Sequence, residues 1–309
     1  MFPLESPARA LYLRDMLPRS ASDGALRGAA GSEHRTRRVP TCAGDVHDLP
    51  LPANVLPAPP RAVTRGARRD DVGASLSSRA APVRNHLLGA LRGSESEHVL
   101  QRFEPVRLAQ GDALYEPDQP IRYVYFPETV VASLVNSLSD GLSVEVGTVG
   151  CEGMVGLPVF LGGATSSTRA IAQIAGTAQR LDAESFTRLA SVPGELHELM
   201  LRYSHAFLIQ VAQTAACNGV HLVQERCARW LLMTHDRVHG DNFPLTHDFL
   251  ALMLGVRRAG VSVAMHALQD VGLIRYGRGN VQILDRERLE EASCGCYRVV
   301  QAHFERLLG

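Results

Sequence analysis

The spacing of apolar residues changes once along this chain, at Pro193, and that change sets the fold class. From Asn85 onward short apolar runs recur as FEPVRLAQG, ALYEPDQP, RYVYFPE, VVASLVNSL and LSVEVGTVG, followed by RAIAQIAG and TAQRLD up to about residue 182. Gly, Pro, Asp and Asn separate the runs at short, even intervals, the pattern of successive antiparallel strands. Beyond Pro193 apolar residues fall three and four apart for over 40 residues, which is a helical period. The chain is therefore expected to be α+β, with an antiparallel β-barrel of jelly-roll type or a sandwich at 85–192 and helices after it. A barrel of this size either fills its interior with side chains or closes over a small ligand.

The helical run is too long for one ordinary helix, so a break is expected near Asn218-Gly219, leaving a long helix over 193–220. Its stripe of Leu196, Leu199, Tyr203, Phe207 and Leu208 must be buried, either on a second copy of the chain or on its own barrel.

Residues 1–84 differ in texture. They hold 10 of the 17 prolines, show no sustained periodicity, and carry 13 Arg against 8 acidic residues. Such a segment buries too little apolar surface to offset its ordering entropy, and a disordered tail is expected. Over the whole chain 32 basic residues, all of them Arg, balance 32 acidic ones. A uniformly basic nucleic-acid coat is excluded, although local charge still decides binding. No apolar run approaches the roughly 18 residues of a membrane helix, and the N-terminus lacks an apolar segment before a cleavage site. A soluble cytoplasmic protein with no membrane partner is expected.

The most informative stretch is THDFLALMLGVRRAGVSVAMHALQDVGLI. Thr246 is a good helix N-cap, and Leu250, Met253 and Leu254 form one face behind it. Gly255 suits the left-handed turn that ends a helix. A second helix from about Arg257 places Val261, Ala264, Met265 and Leu268 on one face. Arg257, Arg258, Ser262, His266 and Gln269 fall on the other. Two helices joined by a short glycine turn read as a helix-turn-helix, whose second helix offers its N-terminal end to a DNA major groove. Arginine there meets guanine bidentately or clamps phosphate. The following LIRYGRGNVQILD reads as a hairpin turning at GRGN, a wing that carries Arg275 and Arg278 toward neighbouring phosphates. Four Arg against Asp248 and Asp270 between Thr246 and Asn280 give a net charge of +2, so binding should depend on two copies acting together.

With barrel, long helix and winged helix-turn-helix in that order, residues 85–284 resemble the Crp/Fnr family of bacterial transcription regulators. EPDQPIRYVYFPE and SVEVGTVGCEGMVGLPVFLG carry the likeness in the barrel, and LTHDFLALMLGVRRAGVSVAMHALQDVGLIRYGRGNVQILD carries it beyond. The resemblance implies a cyclic-nucleotide-binding-like sensor domain at 85–192, a dimerisation helix at 193–220, and a DNA-binding domain at 221–309 with an extra C-terminal helix. It also implies a homodimer on a palindromic site of double-stranded DNA, with RNA polymerase as a further partner. Arg258 falls on the family's base-reading arginine and Thr246 on a phosphate-contacting position. Ala259 and Val263 stand where well-known members carry Glu and Arg, so the target should differ, with Val263 suited to a thymine methyl.

In the barrel the matching effector-pocket positions are Met154, in place of a ribose-binding Glu, and Thr168 and Arg169, in place of an Arg-Ser pair. A cyclic nucleotide is therefore not expected, no cofactor is expected, and the barrel either takes some other small-molecule effector or is purely structural. The family's oxygen-sensing branch holds an iron–sulfur centre with an N-terminal cysteine cluster, whereas only Cys42 lies in the tail here. Cys294-Gly-Cys296 lacks a second ligand pair at zinc-finger spacing. These read as small cysteines of the terminal helix, Cys217 and Cys227 as buried helix residues, and His221, His235 and His239 as solvated ones. No metal site is expected. The competing class is a ligand-responsive module whose helical end binds protein instead of DNA. No nucleophile elbow, phosphate-cradling loop with Lys or paired-histidine motif suggests an enzyme.

Overall fold

The computed structural model describes residues 84–92, 99–138 and 142–308. The expected tail over 1–84, with Cys42, falls outside these residues apart from Arg84. A short helix α1 (His86–Ala90) begins the described chain, capped by the buried Asn85, whose amide also donates to the Pro127 and Gly153 carbonyls at 2.8 and 2.9 Å. Seven strands follow: β1 (Glu104–Leu108), β2 (Ala113–Tyr115), β3 (Tyr123–Pro127), β4 (Val131–Ser137), β5 (Ser143–Val149), β6 (Arg169–Ile174) and β7 (Gly176–Asp182). A single turn, α2 (Leu157–Phe160), interrupts them.

The strands form two antiparallel sheets, ordered β1-β7-β3 and β2-β6-β4-β5. One apolar core holds inward residues of both, among them Val124, Phe126, Ala132, Leu134, Ala170, Ala172, Ala178 and Leu181. The expected barrel does not close. Beyond its ladder with β7, the β-bridging of β3 among the described residues is one isolated bridge, Tyr125 to Val155. The three-residue β2 shifts register against β6, and such a bulge interrupts the ladder. The result is a two-sheet sandwich.

Helix α3 (Ala183–Ala190) leads to α4 (Glu195–Val220), which at 26 residues extends about 39 Å. The expected break occurs at His221-Leu222. Leu196, Leu199 and Tyr203 pack on the sandwich, with the Tyr203 hydroxyl donating to the Met154 carbonyl at 2.9 Å. Of the expected stripe only Leu208 is left out, 65% exposed, and Leu201 shares that outer side.

Helix α5 (Val223–His235) is buried all round from Arg226 to Thr234. Its apolar residues join a second core with β8 (Asn242–Pro244), α6 (His247–Leu254), α7 (Arg258–Asp270), β9 (Ile274–Gly277), β10 (Asn280–Ile283) and α8 (Arg286–Ala292). Val135 and Ile171 of the sandwich belong to the same core. A last helix, α9 (Cys296–Leu308), lies along α4.

Several polar side chains buried between the sandwich and α5 hydrogen-bond one another, although Glu145 Oε2 is left without a partner. Ser133 donates to Gln173 at 2.6 Å, and Gln173 donates to Thr234 at 3.0 Å. Thr148 and Trp230 both donate to Glu145 Oε1, at 2.7 and 3.2 Å. Burial raises the Glu145 pKa above its ordinary 4.5, against opposing hydrogen bonds from Ser133 and Thr148 and the charges of Arg237 and Arg229. The folded state therefore favours the neutral acid. Its contribution to stability is complete below pH 4.5 and is lost as pH rises through the raised value. Glu145→Gln, which stays neutral, is expected to melt like the wild type in acid and progressively above it as pH increases. Thermal midpoints measured across pH check this, and a pH-independent difference contradicts it.

Candidate nucleic-acid interface

Helices α6 and α7 meet at 109° across the three-residue link Gly255-Val256-Arg257, within the range of a helix-turn-helix. Thr246 caps α6 by accepting from the Phe249 amide at 3.2 Å. Gly255 ends it with φ +60, in the left-handed region, where a Cβ would also press on Val144 of β5 at 3.2 Å. Buried Arg226 donates to the Leu254 carbonyl, one of the acceptors the helix end leaves open.

The apolar face of α7 is buried as its spacing predicts, through Val261, Ala264, Met265 and Leu268. Burial of each larger side chain contributes roughly 1.5–3 kcal/mol, so the helix is oriented by its core face. Its other face is left to solvent: Arg257, Arg258, Ala259, Val263 and His266 are exposed, Val263 at 72%. Arg258 lies 3.4 Å from Asp248, with both side chains about two-thirds exposed. Such a pair is worth about 0–1 kcal/mol, less than the roughly 1–3 kcal/mol of a bidentate contact between arginine and a base.

Ser262 is placed differently. It is half-buried, and its hydroxyl meets His247 Nδ1 at 2.9 Å. The His247 ring stacks on Tyr276 of β9 with centroids 4.4 Å apart. Burial, with Arg258 and His266 nearby, lowers the His247 pKa and keeps the ring neutral. Gln269 accepts from the Tyr276 amide at 2.8 Å. Ser262 and Gln269 thus tie α7 to the wing. The sequence reading missed His247 and Tyr276, because the stack joins residues 29 apart that no local period relates.

The wing is a two-residue hairpin with Asn280 opposite Gly277, and both loop residues take positive φ, Arg278 at 53 and Gly279 at 76. That pair of values defines the turn whose twist matches a hairpin. Arg278 stands exposed at the tip, while Arg275 is exposed and donates to Gln282 at 3.1 Å. Thr246, Arg257, Arg258, Val263, His266, Arg275 and Arg278 all belong to the exposed parts of this unit.

A family model described as a Crp-like helix-turn-helix domain matches residues 225–292, and one described as a cyclic nucleotide-binding domain matches residues 105–192. Together they take in just over half of the 309 residues. The chain belongs to the Crp/Fnr family of transcription regulators. Solved structures share the fold. FixK2 from Bradyrhizobium japonicum is 20% identical, with a TM-score of 0.55 over 62% of this chain and 98% of its own. A CRP-family transcriptional regulator from Thermus thermophilus is 22% identical, with a TM-score of 0.53 over 61% of this chain and 96% of its own. A Crp/Fnr-family regulator from Eubacterium rectale is 15% identical, with a TM-score of 0.54 over 67% and 96%. No curated protein sequence matches the chain significantly. The architecture is that of a Crp/Fnr DNA-binding transcription regulator.

This Crp/Fnr chain holds a cavity of about 490 Å³ between sandwich and α4. Leu134, Val146, Met154, Leu157, Phe207 and Leu208 are among the apolar residues of its wall, and Thr168 hydrogen-bonds Tyr115 at 3.4 Å within it. Met154 and Thr168 therefore do face a pocket. Arg169 does not line it and instead pairs with Glu116 at 3.0 Å. A cyclic phosphate would meet an apolar wall with no arginine facing it among the described residues, so these residues do not fit a cyclic nucleotide.

The histidines and cysteines also differ from expectation. His235 is largely buried, bonded to Asp241 at 3.0 Å and Arg286 at 2.8 Å, while His239 is exposed. Cys227 is buried in α5 as expected. Cys217, Cys294 and Cys296 are buried together, and Cys294 lies before the terminal helix instead of on it.

Gly260 sits in the first turn of α7, and a Cβ there would meet nothing within 4 Å. Gly260→Ala is expected to stabilise the free protein by about 1 kcal/mol. Close approach to a DNA backbone, where the added methyl stands in the way, should lower affinity at the same time. Chemical denaturation and DNA titration check the two effects; unaltered DNA affinity rejects close approach as the reason for the glycine.

Proposed function

We propose that the chain acts as a cytoplasmic homodimer that reads a palindromic DNA site, one α7 entering the major groove of each half-site. The observation that carries this reading is the division of α7. One face is locked into the core, and the other offers Arg257, Arg258, Val263 and His266 beside a wing tipped by Arg278. Arg258 reads a base, Val263 lies against a thymine methyl, and Thr246, Arg275 and Arg278 hold phosphates. The modest local charge makes two-fold binding the source of affinity, with half-sites about one helical turn apart.

The outer side of α4 supports the second copy. Leu201, Leu208 and Ala215 are exposed at seven-residue intervals, with Val211 and Ala212 between the last two. That is the narrow seam of a two-stranded coiled coil. The apolar cavity suits a small effector of low polarity, and RNA polymerase is the expected partner of the DNA-bound dimer.

Sequencing DNA enriched by the purified protein from random fragments should return one palindromic motif. Arg258→Ala is expected to cost about 1–3 kcal/mol and to relax preference at one base pair of each half-site. Arg278→Ala should weaken all sequences alike and reduce the salt dependence by about one phosphate contact. Binding that is insensitive to salt, with no motif enriched, rejects DNA reading in favour of a protein-binding module.

A further inference from the structure

Three cysteines and a histidine from distant parts of the chain meet at the C-terminal end of α4. Cys217 and His221, its C-cap, lie one helical turn apart on the same face. Cys294 comes from the link between α8 and α9, and Cys296 opens α9. Cys217 Sγ is 3.5 Å from Cys294 Sγ, and Cys296 Sγ is 3.4 Å from His221 Nδ1. All four ligand atoms lie within 4.8 Å of one another. Bond lengths of 2.0–2.3 Å around a tetrahedral zinc place its ligand atoms about 3.5–3.8 Å apart, so small side-chain adjustments suffice.

The chemistry of the neighbours agrees. The three sulfurs form a cluster of their own, outside both apolar cores. Gln213, one turn before Cys217 on the same face, donates to Cys296 Sγ at 3.0 Å, as an outer-shell partner does. Arg226 and Arg229 are buried nearby, each with an Nε lacking a hydrogen-bond partner. Three thiolates around a divalent ion leave one negative charge to meet them.

We propose that Cys217, His221, Cys294 and Cys296 form a structural zinc site that clamps the end of α4 to the C-terminal segment. Soft thiolates with one imidazole in a tetrahedral set select zinc, and four protein ligands leave no open position for catalysis. The site closes a loop of more than 70 residues, so the ion contributes folding energy by restricting the unfolded chain. A Cys217–Cys294 disulfide is the rival use of these atoms, but it requires an oxidant and assigns nothing to Cys296, His221 or Gln213.

Untagged protein purified without chelator is expected to contain stoichiometric zinc by elemental mass spectrometry. Stripped, reduced protein titrated with Co²⁺ should develop thiolate-to-cobalt charge transfer and the visible bands of a tetrahedral ion. His221→Ala should keep the charge transfer, change the visible bands and weaken Co²⁺ binding. Gln213→Ala should weaken it about tenfold. Both residues are only partly buried, so these variants remain informative if Cys294→Ser fails to fold. Reduced wild-type protein that takes up neither zinc nor cobalt overturns the assignment. So does zinc content and cobalt affinity unchanged in His221→Ala and Cys296→Ser, or metal-free protein in which peptide mapping finds a Cys217–Cys294 disulfide.

Discussion

The burial of α5 on every side governs the rest of the structure. A helix enclosed from Arg226 to Thr234 has no solvent face, so each polar side chain on it needs a partner within the protein. Thr234 finds Gln173 of β6, Trp230 finds Glu145 of β5, Arg229 finds Thr214 of α4, and Arg226 finds the end of α6. One helix thereby fastens the sandwich, the long helix and the helix-turn-helix together. Truncating Thr234 removes the acceptor of the buried Gln173 amide, which costs more than the bond itself contributes.

The same economy explains the DNA-binding unit. The orientation of α7 comes from its buried face and from the His247–Tyr276 stack, so its exposed side chains take no part in holding the fold. Ala259 and Val263 stand on that exposed face, where a change of residue leaves the core undisturbed.

What the sequence made legible was whatever local chemistry determines. The cap at Thr246, the left-handed Gly255, the buried stripe of α7 and the GRGN turn each follow from residues within a few positions. What escaped depends on long-range pairing. Closure of the strands rested on edge contacts of β2 and β3 that no run of residues encodes. The partner of Arg169 was Glu116, more than fifty residues away, and the partner of Ser262 lay on the other helix. The cysteines were hardest of all. Their two pairs are short motifs without meaning until α9 folds back along α4.

Leu208 forms part of the wall of the apolar cavity and is also exposed on the outer side of α4. A molecule in the cavity and a second copy packed on that side would press on one side chain from two directions. Their binding free energies are then linked, and linkage is reciprocal: whatever the effector does to self-association, self-association does equally to effector affinity. The apparent affinity for such a molecule would depend on the concentration of the protein itself.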